Sequence, residues 1–547
     1  MSRNKLRIIP LGGLGEIGRN MMVIEYDEEI IVIDAGLMFP ENDMLGVDII
    51  IPDMSYLVER ADRVRAIIIT HGHEDHVGAL PYLLNHVRAP IYGTRLTLGL
   101  VEVKLREARI KDAELHAIAP GDTLALDPFC IEFFHVSHSI PDGIGMGIET
   151  PAGLIVHSGD FKFDHAPADG QRADFAKLAE LGGRGVLLLL SDSTNAETPG
   201  YTPSEQSISE VLSRVFASAK GRIIVATFAS NISRIQQIAD IAQRHGRKVA
   251  LVGRSMVGNA RIARELGYLN VPDDLLITVD QINQLPNDQV TLICTGSQGE
   301  PTSVLVRMGQ HNPRAVSVVP GDTVIVSATP IPGNEEFVHR TLDNLFRLGA
   351  DVYYDEVLDV HVSGHASQEE QKLLINLIRP KYFVPIHGEY RHLVLHSKLA
   401  QQCGVAPENV IIIESGDVLE IDEFGAEVVD QVSANRIFVD GHGVGDIEMS
   451  VIEDRRMLAH SGFLVAVVAL DKYTGSVMGE PQISSRGFIS ETESVDLLAK
   501  LRQEASRVAG LGGSRSEIVD RLKGALSRLA FEETGRRPII VPVVTKL

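Results

Sequence analysis

The sequence predicts an α/β protein in which one α/β unit is interrupted by a second and followed by a small third. Three observations carry that expectation. Short apolar runs with strand character, at 66–69, 129–136, 153–157 and 186–190, each run on into serine, histidine or aspartate. The long interval between Asp160 and His387 holds its own alternation of strand and helix patterns. Residues 451–547 repeat that alternation on a smaller scale. Residues 1–200 and 356–430 are therefore expected to form two parts of one domain, 201–355 an inserted domain, 431–450 a linker and 451–547 a C-terminal domain.

The chain opens on a strand pattern at 6–11, followed by Gly12-Gly13-Leu14-Gly15-Glu16-Ile17-Gly18. Gly13, Gly15 and Gly18 match the spacing of a dinucleotide fingerprint, which needs a helix next, whereas 21–26 and 30–33 read as two more strands. A glycine-rich hairpin is expected instead. Asp34, at the end of the second of these strands, is placed either to orient a metal-binding histidine from behind or simply to turn the chain.

Thr70-His71-Gly72-His73-Glu74-Asp75-His76 follows an apolar strand pattern and precedes helix-like spacing at 77–84. In an extended segment His71 and His73 project to one side, and Asp75 and His76 turn inward as the helix opens. Acids inside a histidine cluster behind a buried strand are costly without a cation, and this donor mixture suits zinc, with manganese as the looser alternative. His138, Asp160 and Asp192 come just past later strands, and His387 follows Tyr382-Phe383-Val384-Pro385-Ile386. Ligands gathered from several strand ends build a rigid, concave site.

The interval before His387 alternates strand and helix at 223–227 and 232–244, at 249–252 and 256–266, and again from 290. Two of its loops have phosphate-binding character. Ser230 and Asn231 join a strand to a helix, where side-chain donors and free amides meet, although plain capping explains them equally well. His361-Val362-Ser363-Gly364-His365 precedes a helix whose Ser367 and Glu370 are spaced as a capping box. Between 201 and 270 ten Lys or Arg face four acids, a local excess that a channel for a phosphodiester strand would use. From 420 to 451 the chain reads as irregular, with His442 in a glycine-rich linker.

Composition narrows the setting. With 44% hydrophobic residues and a formal charge of −22, the chain is globular and lacks a general affinity for polyanions, so any nucleic-acid site is local. Cys130, Cys294 and Cys403 form no close pair, which fits a reducing compartment. No signal-peptide core and no membrane-length apolar run is legible, and a cytoplasmic protein is expected.

His71, His73, Asp75, His76, His138, Asp160 and His387 resemble the ligand set of the metallo-β-lactamase superfamily. With Asp192, His365 and His387 in three further motifs, the chain is similar to the β-CASP nucleases, and along nearly its whole length to the bacterial ribonuclease J family. The resemblance implies an αββα sandwich with an inserted α/β β-CASP domain and a small C-terminal α/β domain. It implies two Zn2+ per subunit, with Mn2+ or Mg2+ able to serve in activity: His71, His73, His138 and Asp160 hold one, and Asp75, His76, Asp160 and His387 the other. Asp75 then orients the attacking water and relays a proton, and His365 contacts the scissile phosphate or protonates the leaving oxygen. Ser230, Asn231 and the segment from His361 to His365 are the candidates for RNA phosphates, with Asp34 and Asp192 supporting from behind. Also implied are 5′-to-3′ exonuclease action on single-stranded RNA with a 5′-monophosphate, endonuclease activity, and roles in RNA maturation and mRNA decay. The same resemblance implies a homodimer or homotetramer through the C-terminal domain, other RNA-decay proteins as partners, and a structural Ca2+ near Asp48; no membrane partner is expected, from the lack of a membrane-length apolar run.

Two rival readings are a hydrolase of a small ester or thioester and a non-enzymatic RNA-binding scaffold. The first leaves the long insert and its phosphate-like loops without a use. The second leaves seven metal-binding side chains without one.

Overall fold

The computed structural model describes residues 5–41, 43–300, 303–310, 316–330, 334–441, 443–490 and 494–547. The chain divides into two units, one of residues 1–39 and 49–437 and one of 40–48 and 438–547.

The larger unit is built on two sheets packed face to face. One has eight strands, in the order Ala426–Gln431, Asp417–Ile421, Leu6–Gly12, Met21–Tyr26, Glu29–Ile33, Val64–Ile68, Ile91–Gly93, Leu115–Ala117. The other has six, in the order Tyr382–Ile386, Val186–Asp192, Gly153–His157, Ile144–Thr150, Phe129–His135, Thr123–Leu126. Ile8, Ile24, Ile31, Ile33 and Ile68 of the first sheet share one buried cluster with Phe133, Met146, Ile155, Leu188 and Val384 of the second. The outer face of the second sheet, at Phe134, Val156, Leu189 and Phe383, is covered by helices Phe175–Arg184 and Gln368–Ile378. Strands covered on both faces read as nearly continuous apolar runs, which explains why they were legible in sequence.

Glycines 13, 15 and 18 do form a turn between antiparallel strands, with Leu6–Gly12 paired to Met21–Tyr26. The absence of a helix there removes the dinucleotide reading.

The insert leaves after Val186–Asp192 and returns to helix Gln368–Ile378 and strand Tyr382–Ile386. These two strands are parallel neighbours in which Asp192 pairs with Ile386, so the chain departs and returns at one place, and Asp192 meets His387 by register alone. Between them lies a wholly parallel six-stranded sheet in the order Leu276–Ile277, Lys248–Val252, Val290–Cys294, Ile223–Ala226, Thr323–Val326, Asp351–Tyr353. Helices Glu205–Ser218, Ile232–Arg244 and Arg254–Glu265 cover one face and Val304–Gly309 and Glu335–Arg347 the other.

The smaller unit centres on strand Phe463–Leu470, flanked by Gln482–Arg486 and Ile539–Lys546, with helices Val495–Ala509 and Arg515–Thr534 closing its core around Leu464, Leu501 and Leu522.

Two expectations are corrected. The stretch read as irregular contains strands Ala426–Gln431 and Arg436–Asp440; the former is exposed along almost its whole length, so no apolar alternation announced it. His442 lies outside the described residues. The second is that only half of the ten basic residues between 201 and 270 are exposed surface: Arg214, Lys220, Arg244, Arg254 and Arg261 are exposed, and the other five are held by partners. Arg222 is buried against Asp322, Arg234 against Glu205, and Arg247 against the carbonyls of Ala219, Gly221 and Val290. Lys248 and Arg264 pair with Asp274 and Asp273. No described helix is long and apolar enough to cross a membrane, and the three cysteines are free.

Candidate metal centre

Every predicted ligand follows the carboxyl end of a strand, where an α/β sheet leaves its loops free to converge. Strand Val64–Ile68 ends just before Thr70, and the chain turns through His71 and His73 into the short helix Glu74–Val77. The neighbouring turn at Asp34 and Gly36 packs directly on this loop. A Cβ added at Gly36 would lie 1.5 Å from the Asp75 carbonyl oxygen, so only glycine permits the approach. Asp34 and His387 both adopt positive φ, 63° and 53°, strained conformations of the kind that surrounding structure must hold in place.

The side chains converge in two groups that share one oxygen. His71 Nε2, His73 Nδ1 and His138 Nε2 face one another, at 2.9 Å and 3.1 Å from the middle nitrogen. Asp160 Oδ2 lies 3.8 Å from His71 Nε2 and 4.0 Å from His138 Nε2. The same oxygen lies 3.2 Å from His76 Nε2 and 3.4 Å from His387 Nε2, and Asp75 Oδ2 is 3.5 Å and 3.6 Å from those two nitrogens. Four N/O donors around zinc with bonds near 2.1 Å stand about 3.4 Å apart, the edge of a tetrahedron, so the second group has the spacing of a complete site. His387 Nε2 is buried with no hydrogen-bond partner, a polar atom orphaned between Asp75 and Asp160 that a bound cation would satisfy. The donors fit a pair of divalent cations.

Outer partners hold these rings. His138 Nδ1–H donates to the Gly364 carbonyl at 2.8 Å, and a Cβ at Gly364 would come within 2.7 Å of that ring. His76 Nδ1–H donates to Asp34 Oδ2 at 2.7 Å. His365 Nδ1–H donates to Asp192 Oδ2 at 2.8 Å. Sequence reasoning passed over Thr70 and Thr194, whose hydroxyls lie 3.1 Å from His71 Nδ1 and 2.7 Å from His387 Nδ1. Their only signal was that each stands beside a strand-end ligand.

Electrostatics agree with the donor roles. Burial lowers His71 and His138 well below the ordinary histidine value and His73 to about 4, so all three present lone pairs at neutral pH. Burial acts to raise Asp160 and Asp75, but His76 and His387 outweigh it and hold both carboxylates well below their ordinary range. Burial acts to lower His76 and His387, yet the surrounding aspartates, Asp160 foremost, raise both well above 6.5. In the cation-free protein these two imidazoliums stabilise the fold fully below their ordinary value, and that contribution is lost as pH rises through the raised one. Cations must displace the protons. Metal titration at pH 7 is therefore expected to release protons, and affinity to rise between pH 6 and 8; calorimetric heats that do not vary with buffer ionisation enthalpy would contradict this.

The loop from His361 to His365 is held at both ends. Arg234 Nη1 donates to the Val360 carbonyl at 2.8 Å and Lys162 Nζ to the Ser363 carbonyl at 3.2 Å. Glu205 binds both cations, Arg234 at 2.6 Å and Lys162 at 3.2 Å. Asn195 Nδ2 adds bonds to Ser363 Oγ and the His365 carbonyl. None of Lys162, Asn195, Glu205 or Arg234 was picked out as a site residue, because their roles arise from pairing across the inserted domain. His361 Nδ1 is buried without a partner, and His361 is lowered to about 4 by burial and then by Arg234. Val362 is buried, so it offers only backbone. Asn231 Oδ1 accepts from the Arg234 amide at 2.9 Å and so caps the helix, which leaves Nδ2, the donor a phosphate would use, outside that bond, while Ser230 stays half-buried beside it. Ser367 and Glu370 do form the capping box. Asp48 Oδ2 accepts from the Gly441 amide, and among the described residues no group of three or more His, Cys or acidic side chains gathers around it.

Four family models match the chain: the metallo-beta-lactamase superfamily at 14–198, the ribonuclease J beta-CASP domain at 220–345, the Zn-dependent metallo-hydrolase RNA specificity domain at 350–412 and the ribonuclease J C-terminal domain at 450–547. Ribonuclease J2 of Bacillus subtilis (strain 168) is 43% identical over 99% of this chain and 99% of its own length. Ribonuclease J 1 of Streptococcus pyogenes is 44% identical over 99% and 98%, and ribonuclease J 2 of Staphylococcus aureus (strain NCTC 8325 / PS 47) 40% over 100% and 99%. A solved structure of a protein of unknown function from Enterococcus faecalis V583 shares the fold at a TM-score of 0.53 and 17% identity, over 76% of this chain and 99% of its own. Full-length identity at this level, together with the two ribonuclease J domain models, shows that the chain belongs to the ribonuclease J family of metal-dependent ribonucleases.

Proposed function

We propose that the chain hydrolyses RNA phosphodiester bonds at a two-zinc centre, as a 5′-to-3′ exonuclease preferring 5′-monophosphate ends and also as an endonuclease. The observation that carries this is the single oxygen, Asp160 Oδ2, standing between two donor groups with His365 beside them. His71, His73, His138 and Asp160 hold one cation, and Asp75, His76, Asp160 and His387 the other. Cations bound there supply the Lewis acidity that makes water nucleophilic near neutral pH and offsets charge building on the phosphoryl oxygens.

The remaining steps belong to side chains. Asp75, whose side chain is 31% exposed, orients the water and accepts its proton. His365, its Nδ1 committed to Asp192, presents Nε2 to the scissile phosphate or to the leaving oxygen. Ser230, Asn231 through its Nδ2, His361, Ser363 and the backbone at Val362 and Gly364 are the candidates for holding RNA phosphates beside His365. Cytoplasmic RNA maturation and mRNA decay, association with other RNA-decay proteins, and a homodimer or homotetramer through residues 451–547 are part of the same proposal; Val467, Val541 and Val543, exposed on the C-terminal sheet, favour the last.

End-labelled RNA carrying a 5′-monophosphate or triphosphate, incubated with and without chelator, tests the reading. Monophosphorylated RNA is expected to be shortened faster, and only with cations. His365→Ala is expected to lower kcat by ~10²–10⁴-fold while both cations stay bound. Equal cleavage by wild type and variant would remove His365 from the mechanism, and equal rates on the two ends would remove the preference.

A further inference from the structure

We infer that Thr70 and Thr194 are positioning residues that fix which nitrogen of His71 and of His387 is free for a cation. This rests on the two-cation reading above. A carboxylate or a carbonyl beside an imidazole can only accept, so Asp34 and Gly364 settle their partners' tautomers unaided. A hydroxyl can do either. If the Thr194 hydroxyl donated to His387 Nδ1, the ring proton would have to sit on Nε2, the atom that faces Asp160 and Asp75.

In each case a buried aspartate removes that freedom. Thr194 Oγ1 lies 2.8 Å from Asp192 Oδ1, and a carboxylate oxygen offers only lone pairs. The hydroxyl proton goes there. Its oxygen can then only accept from His387 Nδ1–H, at 2.7 Å, so Nε2 is the nitrogen whose proton a cation displaces. Thr70 repeats the arrangement at the other sheet, where Oγ1 stands 2.9 Å from Asp34 Oδ2 and 3.1 Å from His71 Nδ1, while His71 Nε2 points to His73. Each aspartate also takes a second imidazole, His76 on Asp34 and His365 on Asp192. Two aspartate–threonine pairs thus govern four rings, and the Thr194 pair ties the ligand His387 to His365.

The test is a Zn2+ titration of the chelator-treated full chain against a chromophoric competitor, with RNA kinetics in parallel. Thr194→Val and Thr70→Val keep the shape and remove the hydroxyl. Each is expected to weaken zinc binding by ~10–100-fold and to lower kcat with KM for RNA unchanged, and the serine variants to restore both. Where valine lowers the melting temperature of the cation-free protein, alanine, which adds no bulk, takes its place. Zinc binding at wild-type strength in the valine or alanine variants, or serine variants as weak as valine, would overturn the inference. His387→Ala separates the two levels: it is expected to lose one zinc, and if it retained both, the assignment of His387 to a cation would fall and the inference about Thr194 with it, whereas a wild-type chain holding a single zinc would overturn the two-cation reading itself.

Discussion

Asp160→Ala is expected to lower RNA cleavage by ~10³-fold or more, because one substitution removes the only oxygen common to both donor groups. The effect is larger than the loss of a ligand. Asp160 is the foremost of the acids that raise His76 and His387, so without it two buried imidazoles face each other with less to offset their charge. Either they give up their protons or the pocket rearranges. Cleavage rates under single-turnover conditions read the outcome. A rate within about tenfold of wild type, roughly 1.4 kcal/mol of barrier, would show that no shared cation matters.

Glu205→Ala is expected to destabilise the larger unit by ~3–5 kcal/mol, since it strands the buried cations of Lys162 and Arg234 without their common partner. All three side chains are 5% exposed or less, so solvent cannot take over the role of Glu205. Burial acts to raise Glu205, but Arg234 and Lys162 bring it down to about 2. Its contribution is therefore complete above the ordinary carboxylate value near 4.5 and is lost as pH falls toward 2. Urea unfolding at neutral pH measures the loss, and a change below about 1 kcal/mol would mean the cluster is solvated after all. Because Arg234 and Lys162 also hold the Val360 and Ser363 carbonyls, cleavage should fall with stability.

Much of this centre was legible in the sequence because its ligands sit where a buried strand ends, a position that hydrophobic pattern marks without knowledge of the fold. The convergence of His71, His138, Asp160 and His387 is of that kind. What pattern could not show were partnerships set by register and by packing between the inserted sheet and the sandwich. Asp192 meets His387 only because their strands are parallel neighbours, and Arg234, one of the ten basic residues counted between 201 and 270, is fully buried. Strand Ala426–Gln431 escaped because an exposed edge strand has no apolar side to announce it.

The central claim is that two cations share Asp160. Elemental analysis of the full-length protein after saturation with Zn2+ and removal of excess, beside Asp160→Ala, measures it directly. Two zinc ions per wild-type chain and a loss of both in the variant are expected; one ion per wild-type chain, or two retained by the variant, would contradict the account.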